Sequence, residues 1–327
     1  MSEIHKFLFE GLPVRGVLVR LTDAWTEVLR RRAANTSHGA YPRPVQNLLG
    51  EMTAAAMLMQ SCIKFDGALV LQIFGDGPVK LAVVEVQPDF GVRATATVHG
   101  SVRDDASLSQ LVNLGNAGRC AITLDPQNRQ PGQQPYQGVV PLFGDAHEKL
   151  EKISDVLQHY MLRSEQLDTL LVLASDAQLA AGLLIQRLPM LGSGNLAGTQ
   201  AANEDEIGIN EHYNRIALLA ASLQREELLT LDVDAILHRL FWQEDLRRFE
   251  PLQGTRGPHF SCTCSRERVS KMLIGLGADE AHAIVQERGE VEVGCDFCGQ
   301  QYRYDAVDVI RMFHQPGATP PASNAVQ

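Results

Sequence analysis

No apolar run in this sequence approaches the ~20 residues that cross a bilayer, although 45% of its 327 residues are hydrophobic. A membrane protein is therefore not expected. A globular chain with a sizeable core, divided into two or more domains, is. The opening stretch MSEIHKFLFEG lacks a basic region, an apolar region and a small-residue cleavage site, so a cytoplasmic location is expected over secretion. Positive charge is in short supply. With 29 Lys+Arg against 39 Asp+Glu, a net charge of −10, most of the surface repels nucleic-acid phosphates and anionic lipid. The one basic cluster, Arg30, Arg31 and Arg32, closes a helical stretch that opens near Asp23, where it complements the negative end of the helix. Catalytic signatures are missing too: there is no G-x-S-x-G elbow, Walker loop or H-E-x-x-H pattern, so no enzyme is expected.

What remains reads as a mixed α+β chain. VRGVLVRLT (14–22) is rich in β-branched residues and precedes Asp23, an N-cap candidate. RPVQNLLGEMTAAAMLMQSCI (43–63) is an apolar helix whose Met52, Met57 and Met59 suit a buried core. ALVLQIF (68–74) and VKLAVVEV (79–86) flank GDGP and predict a hairpin. VRATATV (92–98), RCAITL (119–124) and GVVPLF (138–143) are further strands. A helix over 146–164 precedes DTLLVLASD (168–176) and AAGLLIQRLP (180–189). Strands and helices lack a regular βαβ alternation, so a largely antiparallel sheet is expected.

Composition shifts after Pro189. MLGSGNLAGTQAANEDE (190–206) is small, polar and Gly-containing, the mark of a linker. Its GSGNLA (192–197) fits a dinucleotide pattern, but Pro189 interrupts the strand before it and no apolar helix follows at once. Two amphipathic helices come next: 204–227 with Ile216, Leu219 and Leu223, and 232–249 with Ile236, Leu240 and Leu246. Short helices are marginal alone and must pack on something else. The expected divisions are a core over 1–190, a helical linker over 191–253, a cysteine-bearing module over 254–314 and a disordered tail over 315–327.

Only six cysteines are present, and four of them crowd into FSCTCSRERV and GCDFCGQQYRYD. Cys262, Cys264, Cys295 and Cys298 have zinc-ligand spacing in a compartment that keeps thiols reduced. Cys-x-Cys in extended backbone sends both sulfurs to one face, and Gly299 supplies the turn after Cys-x-x-Cys. Four thiolates close a tetrahedral shell around one Zn2+ and leave no open position for a substrate water. The disulfide alternative is strained for Cys-x-Cys, because extended residues i and i+2 lie ~6.6–6.8 Å apart at Cα. Such a bridge belongs to the reducible, regulatory class. Metal staple and redox switch both remain open at this point. The module is small, so metal binding, worth ~10–16 kcal/mol in zinc peptides, would supply most of its stability. Loss of the metal would then unfold it and free the neighbouring helices.

His259, His282 and His314 lie in or beside the module and are read as surface or supporting residues, since four cysteines saturate one ion. Tyr302 and Tyr304 supply apolar packing. Cys62 and Cys120 read as small buried hydrophobes. A zinc-ribbon nucleic-acid protein is a rival reading, weakened by seven Lys/Arg against nine Asp/Glu over 254–314. A thiol-disulfide oxidoreductase built on CDFC is another, and it leaves the Cys-x-Cys pair unexplained.

CTCSRER with CDFCGQQYRYD resembles the paired motif of the heat shock protein 33 family, the redox-regulated holdase chaperones of bacteria. The likeness extends through VRGVLVRLT, the 41–86 stretch beginning YPRPVQNLLG, and YMLRSEQ, so it covers nearly all the chain except the tail. The resemblance implies an inactive reduced form with zinc on Cys262, Cys264, Cys295 and Cys298. It also implies that oxidation forms Cys262–Cys264 and Cys295–Cys298 disulfides, releases zinc and unfolds switch and linker. The active form, typically a homodimer, would hold unfolding client proteins without ATP.

Overall fold

The computed structural model describes residues 1–35, 39–128, 134–189 and 201–314, with backbone alone at 201–210 and 314. Residues 190–200, which open the expected linker and include its GSGNLA motif, and the tail over 315–327 lie outside the described residues. The chain divides into two compact units, Met1–Ser261 and a second beginning at Cys262.

The first unit is built on two sheets. Its elements in chain order are β1 (Glu3–Phe9), β2 (Val14–Leu21), α1 (Asp23–Ala33), α2 (Arg43–Cys62), β3 (Gly67–Phe74), β4 (Val79–Val86), β5 (Gly91–Val98) and α3 (Leu108–Val112). There follow β6 (Arg119–Pro126), β7 (Tyr136–Pro141), α4 (Ile153–Ser164), β8 (Thr169–Ser175) and β9 (Ala180–Arg187). Helices α5 (Ala201–Ala221), α6 (Arg225–Thr230) and α7 (Val233–Phe241) lead to the short strands β10 (Leu246–Arg248), β11 (Leu252–Gln253) and β12 (His259–Phe260). One sheet runs β10-β1-β2-β9-β8, with β11 also on β1; the other runs β12-β5-β4-β3-β6-β7. Every pairing in these sheets is antiparallel except β12 on β5, as the α+β reading expects. The β3–β4 hairpin closes at GDGP through Gly75 N–H donating to Lys80 O.

Helix α2 packs against both sheets and is buried on nearly every side, Leu49, Met52, Ala56 and Met57 being wholly inaccessible. A helix apolar all round has nowhere to go but the interior, and its alanines allow strands to close in from two sides. Gly50 leaves no room for a side chain, since a Cβ there would sit 2.5 Å from Ser175 Cβ. Gly50→Leu is expected to cost about 1–3 kcal/mol by overpacking, read as a lowered urea midpoint at unchanged slope.

The first sheet is apolar on both faces. Along β2, Val17, Val19 and Leu21 join the interlayer core while Val14 and Leu18 face outward. The period of two divides the strand between two cores. Onto that outer face dock Tyr213, Ile216 and Ala220 of α5, Leu223 just after it, Leu228 of α6, and Ile236, Leu237, Leu240 and Phe241 of α7. Polar ties reinforce the docking. Arg20 donates to Leu228 O at 2.9 Å and Leu231 O at 2.7 Å, and Arg225 reaches Ser175 O and the Glu51 carboxylate.

Several expectations give way here. The helix expected over 146–164 begins only at Ile153, because Phe143 and Lys149 pair in a bridge that spends the preceding backbone groups. The helix expected over 204–227 is two helices, α5 and α6, broken at 222–224. The one expected over 232–249 ends at Phe241, and Leu246 pairs with Phe9 as an edge strand. Sheet hydrogen bonds outcompete continuation of the helix there. Leu219 is 36% exposed, whereas Ala220 is buried between Ile216 and Leu223. Asp23 is the first helical residue and not the cap. Its carboxylate accepts from Ser2 N and Oγ, and the Ser2 hydroxyl accepts from Thr22 N and Ala24 N.

Candidate metal centre

The second unit contains α8 (Arg266–Leu276), α9 (Ala278–Arg288), a hairpin of β13 (Val291–Gly294) and β14 (Gln301–Tyr304), and α10 (Ala306–His314). Its buried apolar core, among the described residues, is Leu273, Ala281, Val291, Tyr304, Val309 and Met312. So small a core leaves little hydrophobic stabilisation to hold three helices and a hairpin.

Cys262 and Cys264 precede α8 in irregular backbone. The helix is capped by Ser265, whose side chain accepts from Arg268 N, and the Arg268 guanidinium donates back to Thr263 O at 2.9 Å and Thr263 Oγ1 at 2.6 Å. The residue between the two cysteines is thereby pinned. Cys295 and Cys298 occupy the turn joining β13 to β14. Gly299 N–H donates to Cys295 O at 2.8 Å, and Cys295 N–H donates to Gln300 O at 2.9 Å. Gly299 adopts φ 74, the left-handed region where a side chain is disfavoured.

These two segments bring all four sulfurs within 4.8 Å of one another. Cys264 and Cys298 Sγ are 3.3 Å apart and Cys262 and Cys295 Sγ are 3.7 Å apart. Tetrahedral Zn–S bonds of about 2.3 Å place sulfurs roughly 3.8 Å apart, so the donor set fits one zinc ion. The electrostatics agree. Contact with Cys262, then burial, holds the Cys295 thiol far above its usual range, and burial leads in pushing Cys298 up to about 11. Four crowded thiols cannot ionise together without a cation among them, and a coordinated divalent ion supplies that charge.

Among the described residues the cluster holds the four predicted cysteines and no histidine. His259 Nδ1 lies 3.1 Å from Gly257 O, and His282 packs beside the Phe313 ring; the side chain of His314 lies outside the described residues. Sequence reasoning missed Tyr302, whose hydroxyl donates to Cys264 Sγ at 3.1 Å. Alternation along β14 puts Tyr302 and Tyr304 on one face, which is the signal that links them. Tyr304 fills the core and donates to Arg266 O at 2.9 Å. Tyr302→Phe is expected to weaken metal affinity about tenfold, measured by competition with a chromogenic chelator, with the fold unchanged by circular dichroism. Cys62 and Cys120 lie in the first unit. Burial pushes Cys62 up and Cys120 to about 12, which favours the neutral thiol at both.

The pair in CDFC occupies the turn between β13 and β14 and not a helix N-terminus, which removes the usual means of depressing one thiol's pKa in an oxidoreductase. Among the described residues no helix is long and apolar enough to cross a membrane.

The profile of the family described as Hsp33 protein matches residues 2–305. The 33 kDa chaperonin of Chromobacterium violaceum is 46% identical over 312 residues, covering 95% of this chain and 94% of that protein. The 33 kDa chaperonin of Methylobacillus flagellatus is 39% identical over 315 residues, covering 95% and 94%. The crystal structure of the 33 kDa chaperonin (heat shock protein 33 homolog) of Thermotoga maritima shares the fold, with TM-score 0.69 at 18% identity over 95% of this chain and 98% of that one. A four-sulfur centre on this fold, with a match that runs from residue 2 to residue 305, places the chain in the Hsp33 protein family, that of the 33 kDa chaperonins.

Proposed function

We propose that this protein is an ATP-independent holdase chaperone switched by oxidation of Cys262, Cys264, Cys295 and Cys298, and that it is not an enzyme. The observation that carries the reading is four convergent thiols in a unit with six buried apolar residues among those described. In the thiol form these residues hold one Zn2+, whose charge and bonds tie the two cysteine segments together. Oxidation by a peroxide converts each zinc-held thiolate pair to a disulfide and would free the ion; two electrons per pair pass to the peroxide, which takes two protons from the medium and leaves as two waters. A disulfide sulfur is a poor metal ligand, so the unit loses the tie and unfolds.

The domains of this reading are a core over 1–190, a linker over 191–253 and a switch over 254–314. With the switch unfolded, α5–α7 lose the folded segment on their C-terminal side. Their release would uncover apolar side chains including Phe7, Phe9, Leu18, Leu183 and Ile185, a surface for unfolding clients. The disulfides proposed are Cys262–Cys264 and Cys295–Cys298. The shortest sulfur contacts cross between segments, so forming these pairs requires both segments to rearrange. The active form is proposed to be a cytoplasmic homodimer that binds neither nucleic acid nor membrane.

The test mixes a chemically unfolded client with reduced or peroxide-treated protein and follows light scattering and released zinc together. Suppression of aggregation is expected only after oxidation, in step with metal release. Equal suppression by both forms would reject the switch and leave the chaperone reading standing.

A further inference from the structure

Helix α2 fills the space between the two sheets along its length but stops at Cys62, and the chain turns away through Ile63 to enter β3. Beyond the helix end the interlayer space is not filled. A cavity of about 120 Å3 remains there, walled by Met59, Leu69, Ile122, Leu124, Met161 and Leu184. Protein interiors rarely leave a hole larger than a water molecule, and the apolar walls of this one offer a water few partners.

The polar groups at its edge are already engaged with one another. Arg15 Nε donates to Gln186 Oε1 and Nη1 donates to Cys62 O, while Gln186 Nε2 donates to Thr169 Oγ1. The Glu165 carboxylate accepts from Tyr136 Oη at 3.0 Å and Tyr160 Oη at 2.6 Å. Tyr160 is held by contact with Gly138, where a Cβ would sit 2.5 Å from its ring. The cavity reaches solvent beside Tyr136, which is 52% exposed. One guanidinium and one carboxylate line the same space, so a charged ligand would meet attraction from one and repulsion from the other.

From the size, the apolar walls and the balanced rim, we propose that this cavity is a binding site for a neutral, one-ring aromatic molecule, with or without a single hydroxyl. A cavity of ~150 Å3 walled by aliphatic and aromatic side chains accepts benzene, and the present one is slightly smaller. The site is separate from the cysteine cluster and does not depend on the redox reading. A ligand bound only by the folded first unit raises its stability in proportion to the logarithm of ligand concentration above the dissociation constant.

The experiment uses the full-length reduced protein with 13C-methyl methionine and titrates benzene, phenol and naphthalene. Benzene and phenol are expected to shift the Met59 and Met161 methyl resonances saturably and to raise the unfolding temperature. Met272, in the second unit and 48% exposed, is expected to stay unmoved, and naphthalene is expected to be too large to produce the response. Ile122→Phe and Leu124→Phe fill the hole and are expected to weaken benzene binding at least tenfold. No shift at Met59 and Met161 up to the solubility limit, a uniform shift of all methionines, or an undiminished response in either filled variant that folds would overturn the assignment. If neither variant folds, the methyl titration of the unaltered protein decides alone.

Discussion

Cys298→Ser is expected to leave residues 262–314 unfolded while residues 1–261 keep their structure. A serine hydroxyl is a poor zinc ligand, and three thiolates hold the ion far less tightly than four. Metal binding in small zinc domains is worth ~10–16 kcal/mol, far more than the six-residue core of this unit can replace. Even a loss of half that amount is comparable with the whole stability of a small domain. Amide exchange would show 262–314 unprotected, with β1–β9 still protected. The division of the chain at Ser261 into two compact units is what allows one to melt without the other. Native-like protection of α8–α10 in the variant would mean that the apolar core suffices and the cysteines are not structural.

Ile236→Asp is expected to make the reduced protein suppress aggregation without oxidant. Ile236 is wholly buried against the outer face of the first sheet, among Phe241, Leu237 and Leu240. An uncompensated charge in such a place costs about 3–5 kcal/mol, two or more orders of magnitude in the equilibrium between docked and released α5–α7. The interlayer core around α2 does not include Ile236, so the central sandwich should remain folded. Dye binding and client light scattering in reduced protein with intact zinc content would check this. A variant that releases the helices yet holds no client would show that the uncovered face is not the client surface.

Much of this organisation was legible in the residues. Helix α2 is apolar on every side, so its burial follows from composition, and the β3–β4 hairpin follows from GDGP between two β-rich runs. The cysteine cluster was legible because spacing alone limits where four sulfurs can go. The faces were less legible. Leu219 and Ala220 both suit a helical stripe, and only the sheet beneath decides that the smaller residue goes in. The 232–249 stretch has helical periodicity throughout, but edge pairing to β1 claims Leu246. Asp23 has the chemistry of a cap, yet Ser2, distant in sequence, takes that position because β1 begins beside α1. Tyr302 reads as packing because nothing local reveals the Cys264 sulfur brought to it from the segment before α8. Each of these four is decided by residues far apart in the chain, whereas the late start of α4 is decided locally by the Phe143–Lys149 bridge.

The most direct measurement is zinc content and amide exchange on the purified thiol form, before any oxidant is added. The account predicts one zinc per chain and protected amides across α8–α10, with both lost together on chelation. A thiol form that carries no metal and yet protects those amides fully would contradict it.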